Sequence, residues 1–195
     1  MREFPKEVVA ITGAGGMGLA IARRLGPGRR VVIADYSEEV LTQAEAHLKG
    51  EGHDVHAVRT DVSDPKSVRA LAETVERLGK FRYLVHTAGV SPVQAPPERV
   101  VAVDVVGTAL VLDEFYRLAG PGTVAVCIAS MAGAMAPLPP EVEWQLATTP
   151  TAQLASLPVL APSQLDRGAA YSIAKRANQL RVQWASLAWG RKGAR

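Results

Sequence analysis

The 195-residue sequence predicts a single α/β domain, a doubly wound parallel sheet in three layers with helices on both faces. Three features predict it. Short β-branched runs alternate with stretches of helical period. The runs are apolar throughout rather than alternating, as strands covered on both faces are. A glycine-rich turn joins the first run to the first helix.

The elements follow in order. "EVVAIT" (7–12) is a first strand closed by glycines, and "GLAIARRLG" (18–26) is a helix. "RVVIAD" (30–35) is a second buried strand, after which Ser37 caps the helix in "EEVLTQAEAHLKG" (38–50), with two Glu in its first turn and Gly50 just past its end. "DVHAVRTDV" (54–62) is a third strand. A helix over 63–79 follows, capped by Ser63 or Asp64, with Pro65 in its first turn. "YLVHTAG" (83–89) and "GTVAVCIAS" (122–130) are two more strands, separated by one long helix over 97–120 despite its valines. The stretch 134–167 is rich in Pro and Ala, an insertion with one or two short helices, apolar enough to pack over something. No internal repeat and no domain boundary interrupts residues 1–195.

Composition narrows the function. With 48% apolar residues but only 5% aromatic ones, the chain favours small-residue packing of helices on a sheet over an aromatic-rich barrel. The formal charge of +3 is mild and its arginines and lysines are scattered, which argues against nucleic acid as a partner. A single cysteine, Cys127, leaves no internal disulfide and suits a reducing compartment. No apolar run reaches membrane-spanning length, and "MREFPKEVVAITG" enters the first strand without a leader. The expectation is a cytoplasmic protein that engages no membrane. No metal ligand set is assigned.

Two motifs carry nucleotide chemistry. In "TGAGGMG" (12–18), Gly13, Gly15 and Gly18 fit G-x-G-x-x-G, with Gly16 and Met17 between them, at the turn from first strand to first helix. A phosphate needs backbone N–H groups and a helix N-terminus at close range, and side chains would block it. Asp35, with Tyr36 beside it, ends the second strand about twenty residues later. A carboxylate there accepts ribose hydroxyls and repels a 2′-phosphate, which argues for NAD over NADP. Asp61 and Val62 end the third strand, where they would flank an adenine or, equally, introduce the next helix.

"TGAGGMG", Asp35, "TDV", "HTAG", "IASMAG" and "YSIAK" occur in the order, and at the strand ends, of the short-chain dehydrogenase/reductase family, which the chain resembles over essentially its whole length. The resemblance implies a Rossmann-like fold and a catalytic Ser130, Tyr171 and Lys175. Tyr171 would be the acid/base, and Lys175 would favour its phenolate and bind the nicotinamide ribose. A tyrosine titrates near about 10, so the neighbouring ammonium is what brings it into range. Residues i and i+4 share a helix face, and the Ser130 hydroxyl would share the charge developing on the substrate oxygen. Ala88 and Gly89 would keep the backbone close to the cofactor.

The chain also departs from the family pattern. "HTAG" replaces the common N-N-A-G, with His86 more naturally structural than catalytic. Asp104 stands where the family has an Asn that anchors a water beside the lysine; it either alters that proton relay or has an unrelated partner. Ser130 and Tyr171 lie 41 residues apart (171 minus 130), far more than in most members. This resembles the hydroxysteroid dehydrogenase/carbonyl reductase subgroup. The insertion would shape the pocket or block one dimer surface, and the resemblance implies a homodimer or homotetramer. It also implies a sixth strand, a cofactor-covering loop and a seventh strand after Arg195, so the sequence reads as part of a longer enzyme. The activity expected is NAD-dependent interconversion of a secondary alcohol and a ketone, on an apolar or alicyclic substrate. The alternatives are a dinucleotide-binding protein without turnover and a relative of nucleotide-sugar epimerases or dehydratases.

Overall fold

The computed structural model describes residues 6–195; Met1–Pro5, on which the reading of a leaderless start rests, lie outside the described residues. Five strands form one parallel sheet in the order β3-β2-β1-β4-β5. They are β1 (Glu7–Thr12), β2 (Arg30–Asp35), β3 (Asp54–Arg59), β4 (Lys80–His86) and β5 (Val124–Cys127). The chain winds outward from β1 through β2 to β3, then returns to place β4 on the other side of β1. That reversal opens a crevice at the C-terminal ends of β1 and β4, where open α/β sheets bind ligands.

Alternation along the strands separates two cores. Val8, Ala10, Val32 and Ala34 face one side, where Val68, Leu71, Val75 and Phe115 pack on them. Val9, Ile11, Val31 and Ile33 face the other, against Ala22, Leu41, Ala44 and Leu48. The first side is covered by α3 (Pro65–Leu78) and α5 (Thr108–Tyr116), the second by α1 (Gly16–Leu25) and α2 (Glu38–Gly50). Ser37 caps α2 by accepting from Val40 N; of the two candidates for α3, Asp64 is the cap, and Pro65 is the first helical residue.

Three strand boundaries differ from the sequence reading. β3 ends at Arg59, because the Asp61 carboxylate turns back to accept from Ser63 N (2.9 Å) and lifts the chain out of the sheet. β4 runs from Lys80 to His86, so Thr87–Gly89 form a loop. β5 spans only Val124–Cys127 and is not apolar on two covered faces: Val126 is 46% exposed. Beside β5 runs the backbone of Gly193–Arg195, with Arg195 N donating to Thr123 O (3.0 Å) and Ala125 N to Arg195 O (2.7 Å).

The expected long helix is continuous from Pro97 to Tyr116 but not uniform. Between α4 (Pro97–Val100) and α5 it is wound as a π-helix over Val101–Gly107. The widened turn shifts the helical frame, a device frequent at functional sites.

The insertion is built, not loose. It holds α6 (Pro140–Thr148), α7 (Thr151–Leu154) and two short 3₁₀ turns. Leu146, Leu154 and Leu160 are fully buried against Val100, Val105, Ala170 and Ala174. Long helix α8 (Arg167–Arg191), capped by Asp166, pins it with two arginines. Arg176 Nε lies 2.6 Å from Glu143 Oε1. The buried Arg181 guanidinium donates to the carbonyls of Ala147 (3.1 Å) and Thr149 (2.6 Å) and to Thr151 Oγ1 (2.9 Å). Arg181→Met removes charged hydrogen bonds and leaves carbonyls without donors, so it should cost about 2–3 kcal/mol in denaturant unfolding. A loss below about 0.5 kcal/mol would mean that the insertion is held by its leucines alone.

Candidate active site

The glycine turn contains two kinds of glycine. Gly13 has φ +88°, and a Cβ there would come within 3 Å of Thr87 and Ala88. A Cβ on Gly18 would lie 1.9 Å from Gly13 O. Gly13 thus lets the loop after β4 pack on the turn, and Gly18 lets α1 do so. Gly15 and Gly16 have no atom within 4 Å of such a Cβ, and both line an open cleft of about 520 Å³. No side chain caps α1, so its first N–H groups remain available for an anion.

The cleft gathers every nucleotide-site residue expected between positions 13 and 89, from the glycine turn through Asp35, Tyr36, Asp61 and Val62 to Ala88 and Gly89. Asp35 already braces it: Oδ2 accepts from Ala14 N (2.8 Å) and Oδ1 from Ser37 N (2.9 Å). Each oxygen keeps a second lone pair. Tyr36 is 56% exposed, with the Arg59 and Arg99 guanidinium carbons 5.3 and 5.4 Å from its ring centroid. Arg99 also reaches Asp61 Oδ2 (3.3 Å) and Ser63 Oγ (3.0 Å). Burial would raise the Asp61 carboxyl, but the Ser63 hydrogen bonds and Arg99 outweigh it and hold it below its ordinary value.

Beyond Gly89 the cleft meets α8, which carries Tyr171, Lys175 and Asn178 on one face. Ser130 caps the 3₁₀ turn Met131–Met135, its Oγ accepting from Ala132 N (3.2 Å). Gly133 in that turn seats it on α8, since a Cβ would fall 2.7 Å from the Lys175 carbonyl carbon. The Lys175 ammonium lies 5.4 Å from the Tyr171 ring centroid.

The partner of Asp104 is Lys175. Nζ is 2.9 Å from Asp104 Oδ2, and the pair is almost wholly buried. Asp104 Oδ1 accepts from Val90 N (2.8 Å). Oδ2 meets the Lys175 ammonium as an ion pair and has no well-aligned hydrogen bond. Burial pushes the Asp104 carboxyl above its ordinary value, against the pull of Lys175 and Val90 N.

A second chain of contacts ends at the backbone of Asp104. Thr12 Oγ1 lies 2.6 Å from His86 Nδ1, and His86 Nε2 lies 3.1 Å from Thr108 Oγ1. The Thr108 hydroxyl donates to Asp104 O (2.7 Å). With its amide turned to face these acceptors, Asn178 donates to the same carbonyl (2.5 Å) and to Thr108 Oγ1 (3.2 Å). Since Thr108 gives its proton to Asp104, His86 donates from Nε2 and accepts at Nδ1. Burial, then the Lys175 charge, push His86 down to about 3, so the ring is neutral and structural. Thr87 Oγ1 completes the cross-strand ties by donating to Thr12 O (2.8 Å). Thr108 and Asn178 were missed from the sequence, although each lies one turn beyond a flagged residue. Arg99 carried no sequence signal.

Comparison with known proteins agrees with this fold. Residues 7–139 match the family model described as short chain dehydrogenase. A short-chain dehydrogenase/reductase of Alternaria brassicicola is 39% identical over 192 residues, covering 97% of this chain and 70% of the relative. A cis-4-hydroxycyclohexanecarboxylate dehydrogenase of Sinomonas cyclohexanicum is 36% identical over 146 residues, 68% of this chain and 58% of the relative. An actinorhodin polyketide ketoreductase solved with NADPH superposes with TM-score 0.72 at 25% identity, covering 97% of this chain and 67% of that one. A short chain dehydrogenase from Mycobacterium smegmatis gives 0.73 at 26%, covering 97% and 72%. The chain belongs to the short-chain dehydrogenase family, a class of NAD(P)-dependent oxidoreductases that act on CH–OH groups. Among the described residues no helix is long and apolar enough to cross a membrane.

Two expected outcomes follow from this packing. Gly18→Ala drives a methyl into the Gly13 carbonyl and should destabilise the fold by about 2 kcal/mol or more. Gly16→Ala meets nothing and should be neutral or stabilising by up to about 1 kcal/mol; equal losses in urea unfolding would contradict the division of the glycines. His86 must stay neutral to fold, so its contribution is present above pH 6.5 and is lost as pH falls toward about 3. The slope is about 1.4 kcal/mol per pH unit. The raised Asp104 carboxyl works in the opposite sense, so the readout is the difference between wild type and His86→Gln. The variant should lack the His86 slope between pH 6.5 and 4.

Proposed function

We propose that this chain carries the site of an NAD-dependent dehydrogenase that interconverts a secondary alcohol and a ketone. The observation that carries the reading is Gly89. A Cβ on this cleft residue would sit 3.2 Å from Lys175 Nζ, so the nucleotide cleft and the Tyr-Lys helix meet at one glycine.

The residues fit a dinucleotide. Gly15, Gly16 and the uncapped start of α1 would hold its phosphates, and Asp61, Val62 and Ala88 would flank the adenosine. Asp35 would accept ribose hydroxyls on its free lone pairs and disfavour a 2′-phosphate. Arg59 and Arg99 stand nearby but are already paired, with Glu38 (3.5 Å) and Asp61. When bound, the nicotinamide supplies or accepts the hydride. The Tyr171 phenol would move the proton on the substrate oxygen, and the Ser130 hydroxyl would hydrogen-bond that oxygen. Lys175 would bias the phenol toward phenolate.

An apolar, alicyclic alcohol is the substrate class this reading favours. Met131 and Met135, 80% and 70% exposed, lie on the turn that Ser130 caps. Relatives include the cyclohexane-ring dehydrogenase above and a 7alpha-hydroxysteroid dehydrogenase of Bacteroides fragilis, 38% identical over 92 residues. Assembly as a homodimer or homotetramer belongs to the same reading, supported by the exposed Trp144, Trp184 and Leu187 on α6 and α8. A dinucleotide binder without turnover is the second reading, favoured by the engagement of Lys175 with Asp104.

Nicotinamide fluorescence should show NADH binding at least tenfold more tightly than NADPH, and Gly16→Ala should weaken it. Tighter NADPH binding would overturn the assignment to Asp35. With cyclohexanol as probe alcohol, Tyr171→Phe should lower turnover by about 10²–10⁴-fold while NADH binding persists. Binding without turnover in the wild type, across cyclohexanol and 7α-hydroxysteroids, would select the second reading.

A further inference from the structure

Two N–H groups face the two oxygens of Asp104: Val90 N donates to Oδ1, and Lys175 Nζ lies 2.9 Å from Oδ2 as its ion-pair partner. An asparagine offers one oxygen and one NH₂, so it would turn a donor toward one of these donors. The site is therefore built for a carboxylate. The other groups around it bring no compensating charge. His86 on β4 is neutral, Thr108 and Asn178 are uncharged, and Gly89 and the Val90 N–H complete the surroundings. Arg176, next on α8, is paired with Glu143. Along α8 the charged residues one turn from Tyr171 are Lys175, which is paired with Asp104, and the exposed Arg167, which the variants below leave in place.

We propose that Asp104 is a positioning residue that holds Lys175 beneath Gly89 and opposes the ammonium's pull on the Tyr171 phenol, so that Tyr171 releases its proton less readily than it would beside a neutral residue. An ammonium alone near the phenol favours the phenolate; an ammonium bound to a carboxylate at 2.9 Å acts as a dipole, whose field falls off faster. Burial strengthens both charges relative to their screened values at the surface. The π-helical turn and the Thr12–His86–Thr108 contacts fix the Asp104 backbone, and Val90 N holds Oδ1, so the carboxylate cannot swing away from the lysine without breaking that hydrogen bond.

The proposal rests on Tyr171 being the acid/base, but its test needs no turnover. The phenolate absorbs near 295 nm, and the chain has four tyrosines, so the Tyr171 titration is read as the difference between each protein and its Tyr171→Phe counterpart. In Asp104→Asn the Tyr171 midpoint should fall by about one pH unit. Asp104→Ser, smaller and also neutral, should move it in the same direction and serves if the amide is not accommodated. Cooperative thermal unfolding verifies that each variant is folded. An unchanged or raised midpoint in a folded neutral variant overturns the proposal. Inactivity of the wild type toward every probe alcohol would instead sink the function proposed above, leaving the titration result intact.

Discussion

The constraint around which the site is arranged is the burial of one charge pair. Lys175 and Asp104 sit almost without exposure between the last long helix and the π-helical turn. Removing two charges from water costs several kcal/mol per ion, and their attraction offsets this only when further donors and acceptors converge on them. Their surroundings meet that demand at close quarters. Val90 N supplies a second donor, Gly89 allows the loop after β4 to lie on the pair, and Gly133 lets the Ser130 turn lie on α8 at the lysine itself. The neighbouring histidine remains neutral because burial penalises its charged form, and the Lys175 charge beside it adds to that penalty.

This arrangement couples distant parts of the chain. Thr12 ends β1 at the nucleotide turn, His86 ends β4, and Thr108 follows the π-helical turn; through them the base of the cleft is tied to the backbone of Asp104. The tie is polar and buried, so a partly broken version would leave orphaned groups, and the network holds as a unit. The insertion is bound to the same helix by different means. Apolar burial of Leu146, Leu154 and Leu160 holds its body, and Arg176 and Arg181 fix its orientation through carbonyl and carboxylate partners. Tyr171 and Lys175 therefore stand on a helix clamped on both sides.

Much of the fold was legible in the sequence. Apolar runs at 7–12 and 30–35 correspond residue for residue to β1 and β2, since fully buried strands of a parallel sheet have an unmistakable pattern. Ser37, Asp64 and Pro65 marked helix starts through local hydrogen bonding and fixed φ, which need no tertiary partner. The ends of β3, β4 and β5 were less clear, because where a strand stops depends on which side chain turns back on the backbone. Asp61 did so through Ser63, and nothing in "TDVSD" distinguishes that from a strand continuing to Val62.

By itself the sequence determined the layered sheet, the glycine turn, and the presence of Ser130, Tyr171, Lys175 and Asp104, because periodicity, chirality and helical spacing are local properties of the chain. Only the tertiary structure decided that, of the four turn glycines lining the cleft, Gly13 and Gly18 leave no room for a Cβ while Gly15 and Gly16 do. Only it decided that Asp35 braces the turn, that His86 is locked between two threonines, and that the partner of Asp104 is the lysine 71 residues further on (175 minus 104). Those outcomes depend on which groups are driven out of water together, and desolvation is a property of the assembled volume rather than of any stretch of sequence.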